Sequence, residues 1–248
     1  MPGPVKTEGI VLRSMRYGEA DRILHLYTPQ LGRIGAIAKG VRRARSRFGG
    51  RLEPFFRLQL DLHEGRGELL TVTGAQTIEA YSHLRCDARA IDAAARACDA
   101  VGRLFETGEP HPNVFNLLCR RLLLLDAGAA DASPHVAGRA GALVFRLKLM
   151  LAAGLAPQLG ACVCCGEHED LVGYSGASGG VVCGACWSIY DRSVSFALDP
   201  DAYSFMTEAL GQPLAEAPDA PERALGQVER AISETLEHHA NVRLMPAA

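Results

Sequence analysis

The chain has 248 residues, of which 48% are hydrophobic and 22% charged, as expected for one large globular domain or for two to three small ones. Its longest apolar run, residues 149–157, is too short to span a bilayer, and the N-terminal stretch MPGPVKTEG has no apolar signal core. The net charge of −2 conceals an asymmetry, because residues 1–80 carry 13 Lys or Arg against 8 Asp or Glu and the remainder carries 13 against 20. The first third is therefore the part suited to a polyanionic partner.

Residues 6–80 are predicted to form five short strands, because runs rich in β-branched and aliphatic residues are bounded by Gly, Pro or Asp. We expect these strands at residues 8–13, 22–28, 33–39, 55–63 and 68–78. The fourth shows the period of a half-buried strand, since polar residues alternate with Phe56, Leu58, Leu60 and Leu62. Five strands with a long third connection favour a small closed barrel such as an OB-fold, and an SH3-like barrel fits the same pattern.

The connection between the third and fourth predicted strands is strongly basic. No Asp or Glu occurs from residue 22 to residue 52, and seven cations lie on or beside the connection: Arg33, Lys39, Arg42, Arg43, Arg45, Arg47 and Arg51. Phe48 adds an aromatic ring that can stack on a base, and Gly49 and Gly50 let the backbone approach a phosphate closely. A solvated loop without a ligand is the plainer alternative, but this cluster has the electrostatic footprint that a nucleic acid requires.

From residue 77 onward the sequence changes to Ala, Leu and Arg with helical spacing, which predicts helices at residues 89–105, 113–125, 140–153, 199–210 and 221–239. The third is apolar on nearly every face except at Arg146 and Lys148, so we expect it to be central and buried. The last two are amphipathic and are expected to pack back onto it. His238 and His239 are interpreted as an exposed helix end, because adjacent histidines point apart.

Two C-x2-C pairs separated by seventeen residues form the spacing of a four-thiolate zinc site: Cys162, Cys165, Cys183 and Cys186. Cys164 is excluded because adjacent cysteines rarely chelate one ion, and His168 is not needed as a ligand. Unligated buried thiols or a redox pair are the alternatives. Four thiolates leave no open coordination position, so the zinc is expected to be structural. The eight cysteines of the chain fit a reducing cytosol.

The sequence lacks a Walker A loop, G-x-G-x-x-G after a strand, G-x-S-x-G and HExxH, and it has no paired carboxylates at recognisable catalytic spacing. We therefore do not expect an enzyme.

The run GIVLRSMRYGEADRILHLYTPQLGRIGAIAKGVRRARSRFGGRLEPF resembles the N-terminal domain of the RecO family of bacterial recombination mediators, most strongly in YGEADRIL followed by AKGVRR. The resemblance continues through FRLKLMLAAGLAPQLGACVCCG and GGVVCGACW, so it covers both ends of the chain. It implies an α+β multidomain protein. An OB-fold DNA-binding domain at residues 1–80 would be followed by a helical domain in two parts, residues 81–160 and 191–248, with a zinc finger at residues 161–190 inserted between them.

Members of this family bind single- and double-stranded DNA, anneal complementary strands, and act with RecR to help RecA replace the single-strand DNA-binding protein. The resemblance thus implies DNA, RecR and the C-terminal tail of the single-strand DNA-binding protein as partners, RecA indirectly, and a cytoplasmic, nucleoid-associated location. The seven cations match the family's DNA-contacting region. The four cysteines match its ligands for one structural Zn²⁺ per chain, and Cys164 is extra to that pattern.

Two other functions fit parts of the sequence. An OB-fold RNA-binding or translation-associated factor would share the barrel, the basic connection and a structural zinc finger, and comparing affinities for DNA and RNA would separate the two. A zinc enzyme would need an open coordination position, and four thiolates argue against one.

Overall fold

The computed structural model describes residues 3–43, 45–65, 67–106, 108–132, 134–188 and 195–247. The chain divides into two compact units, Met1–Asp131 and Ala132–Ala248. Within the described ranges, no helix has the combination of length and apolar character that crossing a membrane requires.

Five strands form a closed barrel in the N-terminal unit: β1 Pro4–Tyr17, β2 Asp21–Thr28, β3 Gly32–Ala38, β4 Arg57–His63 and β5 Leu70–Glu79. Their order is β1-β2-β3-β5-β4, and β4 pairs back with β1. The strands β3 and β5 are parallel, and the other neighbours are antiparallel. This is the arrangement of an OB-fold, so the predicted fold is confirmed and the SH3-like alternative is set aside.

The strand β1 is longer than predicted because it serves two neighbours. Residues 4–10 pair with β4 and residues 10–17 pair with β2, and the register shifts at a bulge between Val11 and Arg13. A bulge bends a strand and raises its twist, which allows one strand to close a barrel. Inside, the barrel core includes Leu24 and Leu26 of β2 and the alternating side chains of β4, Leu58, Leu60 and Leu62.

Two long helices complete the N-terminal unit, and both were predicted: α1 Ala88–Leu104, which follows a short 3-10 helix at Leu84–Cys86, and α2 Pro112–Ala130. The Asp87 side chain caps α1 by accepting a hydrogen bond from the Ala90 N–H at 2.7 Å. After α1, the ring of Phe105 packs edge-on against Tyr27 of β2, with 6.3 Å between ring centroids. The helices therefore cover one end of the outer barrel surface.

The C-terminal unit contains helices and a small sheet. The helices are α3 Pro134–Ala137, α4 Arg139–Ala152, α5 Gly184–Trp187, α6 Pro200–Gly211 and α7 Glu222–Ala240. The sheet has the order β7-β6-β8, from β6 Leu171–Ser175, β7 Gly180–Cys183 and β8 Phe196–Ala197. As predicted, α4 is largely buried and packs with both α6 and α7. The expected boundary at residues 190 and 191 lies outside the described residues.

A buried ion pair explains how α4 tolerates a charge inside the helical core. Arg146 is 4% exposed, and its Nη1 donates to Oε1 of Glu229 on α7 at 3.2 Å. Arg139 binds the same carboxylate, with 2.6 Å between Nη2 and Oε2. The Ala247 N–H also donates to Glu229, and Arg146 donates to the Met245 carbonyl. The carboxylate of α7 thus joins α4 to the C-terminal segment.

Candidate functional site

The basic loop, residues 39–56, connects β3 to β4 and is fixed to the barrel by apolar side chains. Phe48 is 2% exposed and Leu52 is 1% exposed, and both belong to the barrel core. Val41 packs against the same core. The expectation that Phe48 stacks on a base is therefore wrong, because burial of a large aromatic ring is favourable and the barrel interior provides the space.

The start of the basic loop is hydrogen-bonded to the turn between β1 and β2. The Gly40 N–H donates to Oδ1 of Asp21 at 2.7 Å, and the Arg42 N–H donates to the Ala20 carbonyl at 2.9 Å. The Arg42 guanidinium reaches the Glu19 carbonyl, at 3.1 Å from Nη1. The first turn of the loop thus lies beside residues 18–20.

The end of the basic loop pairs with the bulge of β1. The Phe55 N–H donates to the Val11 carbonyl at 2.8 Å, and the Val11 N–H donates to the Phe56 carbonyl at 3.0 Å. Phe55 has a φ of 77°, which a bulky residue adopts only where its surroundings impose it. Both ends of the loop and its middle are therefore held by the barrel, so the loop presents its cations from a fixed backbone.

Six of the seven predicted cations are exposed to solvent: Lys39, Arg42, Arg43, Arg45, Arg47 and Arg51. In the part of the chain that the structure describes, none of the six forms an ion pair with a carboxylate. Arg33 is placed differently, because its Nη1 donates to the Gly102 carbonyl at 2.8 Å and lies 3.6 Å from Oε1 of Glu106. The structure therefore groups six cations on or beside the loop, whereas Arg33 is engaged by the end of α1.

Two of the six cations, Arg47 and Arg51, fold back on the loop. The guanidinium of Arg51 donates to the Phe48 carbonyl at 3.1 Å, and that of Arg47 lies 4.9 Å from the centroid of the Phe48 ring. A carbonyl or an aromatic ring orients a guanidinium without neutralising it. These contacts orient the two guanidinium groups without supplying a negative charge, so an anion can still bind them.

Sequence reasoning missed the exposed residues at the end of β1. Arg13 and Arg16 are solvent-exposed, and the Tyr17 side chain is 53% exposed. The signal was present in the alternation of RSMRY, but the first strand was expected to end at Arg13. The extra residues place an exposed aromatic ring immediately before the turn that binds Arg42.

The four cysteines of the paired motifs meet at one point in the C-terminal unit. The sulfur atoms of Cys162, Cys165, Cys183 and Cys186 all lie within 4.8 Å of one another. The Cys165 and Cys183 sulfurs are 3.7 Å apart, close to the separation of about 3.8 Å that tetrahedral zinc with bonds of 2.3 Å imposes. This cysteine cluster can therefore hold a metal ion, and its four soft donors suit zinc.

Local backbone geometry positions each cysteine pair. The first pair lies on a tight turn in which the Gly166 N–H donates to the Cys162 carbonyl at 2.9 Å, and Gly166 has a φ of 81° that favours glycine. The second pair spans the end of β7 and the start of α5. Trp187, at the end of α5, packs against the cluster beside Cys183 and Val182.

The protonation of the cysteine cluster also fits a cation. Burial favours the neutral thiol of Cys162, but the backbone N–H groups of Cys183, Cys164 and Cys165 outweigh it and lower its pKa to about 6. The pKa of Cys186 is raised instead, chiefly by its hydrogen bond with Cys165. Four adjacent thiolates repel one another, and a divalent cation bound between them would offset that repulsion.

The two other candidate ligands lie apart from the cluster. Cys164 is exposed and is not a member of the group of four. The Nδ1 atom of His168 lies 2.7 Å from the Gly160 carbonyl, so this histidine has a local hydrogen-bond partner. The geometry agrees with excluding both residues as ligands.

Comparisons with known proteins cover both units. Residues 1–81 match the family model for the N-terminal domain of recombination protein O, and residues 85–245 match that for its C-terminal domain. The chain is 35% identical over 244 residues to a DNA repair protein RecO of Anaeromyxobacter dehalogenans, covering 97% of this chain and 93% of that protein. It is 39% identical over 230 residues to a DNA repair protein RecO of Rubrobacter xylanophilus, covering 91% of this chain and 89% of that protein. The chain therefore belongs to the RecO family of DNA repair proteins.

Proposed function

We propose that the chain is a DNA-binding recombination mediator whose basic loop binds the phosphates of single- and double-stranded DNA. The observation that carries this proposal is the set of six exposed cations on or beside the loop, which have no carboxylate partner among the described residues. Unopposed charge on a fixed backbone favours a polyanion, because binding releases condensed counterions from the nucleic acid. Arg33 is included as the seventh predicted cation, which lies in the same acid-free stretch, and its guanidinium is held by the Gly102 carbonyl of α1.

We propose that this mode of binding serves strand annealing. Annealing needs two polyanions to be brought together while the hydrogen-bonding edges of their bases stay free. Phosphate contacts meet this need, because they position a strand without reading its bases. With Phe48 buried, the exposed side chains of the basic loop are chiefly its cations.

We infer that the cysteine cluster holds one structural zinc ion, with Cys162, Cys165, Cys183 and Cys186 as its ligands. The support is the separation of the sulfur atoms and the two turns that present them. Zinc supplies no reaction in a closed four-thiolate site and instead stabilises the fold around it. The role proposed for the whole chain is accordingly one of binding, not of bond making.

We further propose that the chain acts with RecR to help load RecA onto DNA coated by the single-strand DNA-binding protein, whose C-terminal tail it would contact. Membership of the RecO family supports this role, and a DNA ligand supports a cytoplasmic, nucleoid-associated location. The division into residues 1–80, 81–160, 161–190 and 191–248 is kept as part of the same proposal.

The test of DNA binding replaces Arg42, Arg43, Arg45 and Arg47 together by Ala. If all four touch phosphate, the slope of log K against log[salt] on single-stranded DNA should shrink by about 3, at roughly 0.7 per contact. The loss should be similar for all base sequences, and annealing of complementary oligonucleotides coated by the single-strand DNA-binding protein should fall in parallel. Thermal stability should change little, because these four side chains are exposed.

A control removes the same number of charges from exposed positions outside the loop, of which Arg223 and Arg243 are ion-paired with carboxylates: Arg89, Arg120, Arg223 and Arg243. If the salt slope shrank equally in this control, the effect would be explained by net charge and not by contacts of the loop with phosphate. An unchanged slope in the folded loop variant would remove the loop from the DNA site. Tighter binding of RNA than of DNA with the same sequence would favour the RNA-binding alternative.

A further inference from the structure

The outer face of the barrel carries a row of aliphatic side chains that the barrel core does not use. The backbone pairing places Met15 of β1 opposite Ile23 of β2, and Ile23 opposite Ile37 of β3. The next residue of β2, Leu24, lies in the core, and neighbouring side chains of a strand face opposite sides. The row therefore faces outward, where all three of its side chains are partly exposed.

Two more side chains extend this row. Tyr17 follows Met15 by two residues on β1, so it shares the outward face, and it is 53% exposed. At the other end Leu69 is 36% exposed and lies over Gly35, where an added Cβ would come within 2.6 Å of it. We name these five residues the outer strip: Met15, Tyr17, Ile23, Ile37 and Leu69.

Cations lie near both ends of the outer strip, and at the Tyr17 end they lie with two acidic residues, Asp21 directly opposite Tyr17 and the exposed Glu19 in the turn. On one side Arg13 pairs with His25 on the same outward face, and burial together with the charges of Arg33 and Arg13 lowers the pKa of His25. On the other side Tyr17 leads into the turn that binds the backbone and the guanidinium of Arg42. The basic loop is thus continuous with the Tyr17 end of the strip.

This pattern has the chemistry of a single-stranded nucleic acid. Unpaired bases expose flat apolar faces that stack on an aromatic ring or pack on aliphatic groups, while the phosphates beside them need cations. A duplex keeps its base faces stacked inside, so it can use the cations but not the strip. Within the described barrel, Tyr17 is the aromatic side chain that is more than half exposed, and it takes the role that Phe48 cannot fill.

We propose that the outer strip is a platform for the bases of single-stranded DNA, with Tyr17 stacking on one base and the basic loop holding the adjoining phosphates. The proposal rests on the DNA-binding function proposed above and adds a reason for preferring single strands. Stacking occupies the faces of the bases and leaves their hydrogen-bonding edges free. A strand held in this way can still anneal.

The test combines a probe and a pair of variants. Wild-type chain should bind an oligothymidylate about 10-fold more tightly than an abasic deoxyribose-phosphate strand of equal length. Tyr17→Ala should lower the affinity for oligothymidylate by about 10-fold and leave that for duplex and abasic strands unchanged, whereas Tyr17→Phe should keep the wild-type affinity. The salt slope should be the same in all three chains, because no phosphate contact is lost.

The outcomes separate the two proposals. If wild-type chain binds no DNA, the proposed function fails and the platform fails with it. If it binds abasic and base-containing strands equally, the phosphate site stands and the base platform is overturned. If Tyr17→Ala binds every probe as the wild type does, the platform is likewise overturned and the strip is better assigned to a protein partner.

Discussion

The basic loop and the cysteine cluster are both irregular segments, but they are held in opposite ways. The basic loop directs Phe48 and Leu52 into the barrel core and leaves its charges outside. The cysteine cluster directs four ionisable groups to one point instead. A segment fixed by apolar burial is folded before its ligand arrives, whereas a segment built around thiolates needs a cation to complete it. With the zinc proposed above, the first segment can lose function without losing its fold, and the second cannot.

The largest effect should come from the cysteine cluster. Cys183→Ser should lose bound zinc and destabilise the C-terminal unit by roughly 5 kcal/mol or more, because metal binding and folding are coupled. Cys164→Ser is the matched control and should keep about one equivalent of zinc and the wild-type stability. Metal analysis and thermal unfolding check both variants. Normal zinc content in Cys183→Ser, or its loss in Cys164→Ser, would show that the ligands are assigned wrongly.

The next effect tests whether the basic loop depends on its apolar residues. Phe48→Ala should destabilise the N-terminal unit by about 4 kcal/mol, because it removes a buried ring and leaves a cavity. Arg47→Ala changes the neighbouring exposed residue and should cost less than about 0.5 kcal/mol. Denaturant unfolding measures both values. If the two variants were equally stable, the loop would not be held by burial and the contrast with the cysteine cluster would disappear.

The ion pair of the helical core lies between the basic loop and the cysteine cluster in this comparison. Its charged groups are buried like the cysteines, but they are paired with other side chains and not with a metal. Glu229→Gln should cost about 3 kcal/mol, because it removes the charge of a carboxylate that accepts a hydrogen bond from the buried Arg146. Glu222→Gln removes an exposed partner of Arg139 and should cost less than about 1 kcal/mol. Chemical denaturation of the two variants would distinguish them, and equal costs would contradict the importance of the buried pair.

The same carboxylate predicts a dependence on pH. Burial opposes ionisation of Glu229, but the Ala247 N–H and the guanidinium groups of Arg139 and Arg146 outweigh it and hold its pKa below the ordinary 4.5. A lowered carboxyl pKa gives stability that is complete above the unfolded value and is lost as the pH falls through the folded value. The difference between wild type and Glu229→Gln should therefore shrink in acid. A difference that stayed constant at low pH would contradict this assignment.

The smallest effect on stability is expected at Tyr27, a buried residue whose polar group, within the described ranges, is paired neither with a metal nor with a charged side chain. The Tyr27 hydroxyl is buried and, among the described residues, has no hydrogen-bond partner, and burial raises its pKa to about 12. Tyr27→Phe should therefore be neutral or should stabilise the N-terminal unit by up to about 1 kcal/mol. Thermal unfolding gives the value. A clear loss of stability would mean that the hydroxyl has a partner after all.

Patterns that depend on near neighbours could be predicted from the sequence. The alternation in β4 located an interior face, and the spacing of the two cysteine pairs identified the four sulfur atoms that meet. Both signals arise from residues whose geometry is set within one strand or one turn. The helix over residues 140–153 was predicted within one residue at each end, because its apolar character is continuous.

Features that depend on distant contacts could not be predicted in this way. The sequence around Phe48 is basic and rich in glycine, and only the closed barrel shows that the ring has an apolar space to enter. Arg33 looked like its basic neighbours, but it is bound by Gly102, which lies on a helix far along the chain. Tyr17 was placed beyond the first strand, because the local pattern does not reveal that β1 continues to pair with β2.

The position of Trp187 against the cysteine cluster gives the C-terminal unit its own optical signal. This residue is the single tryptophan of the chain, and its ring lies against Gly173 of β6, where a larger residue would collide with it. Tryptophan emission therefore reports the surroundings of the cysteine cluster, because the aromatic residues of the barrel are Tyr and Phe. Unfolding followed by this emission and by far-ultraviolet circular dichroism would separate the transition of the C-terminal unit from that of the whole chain.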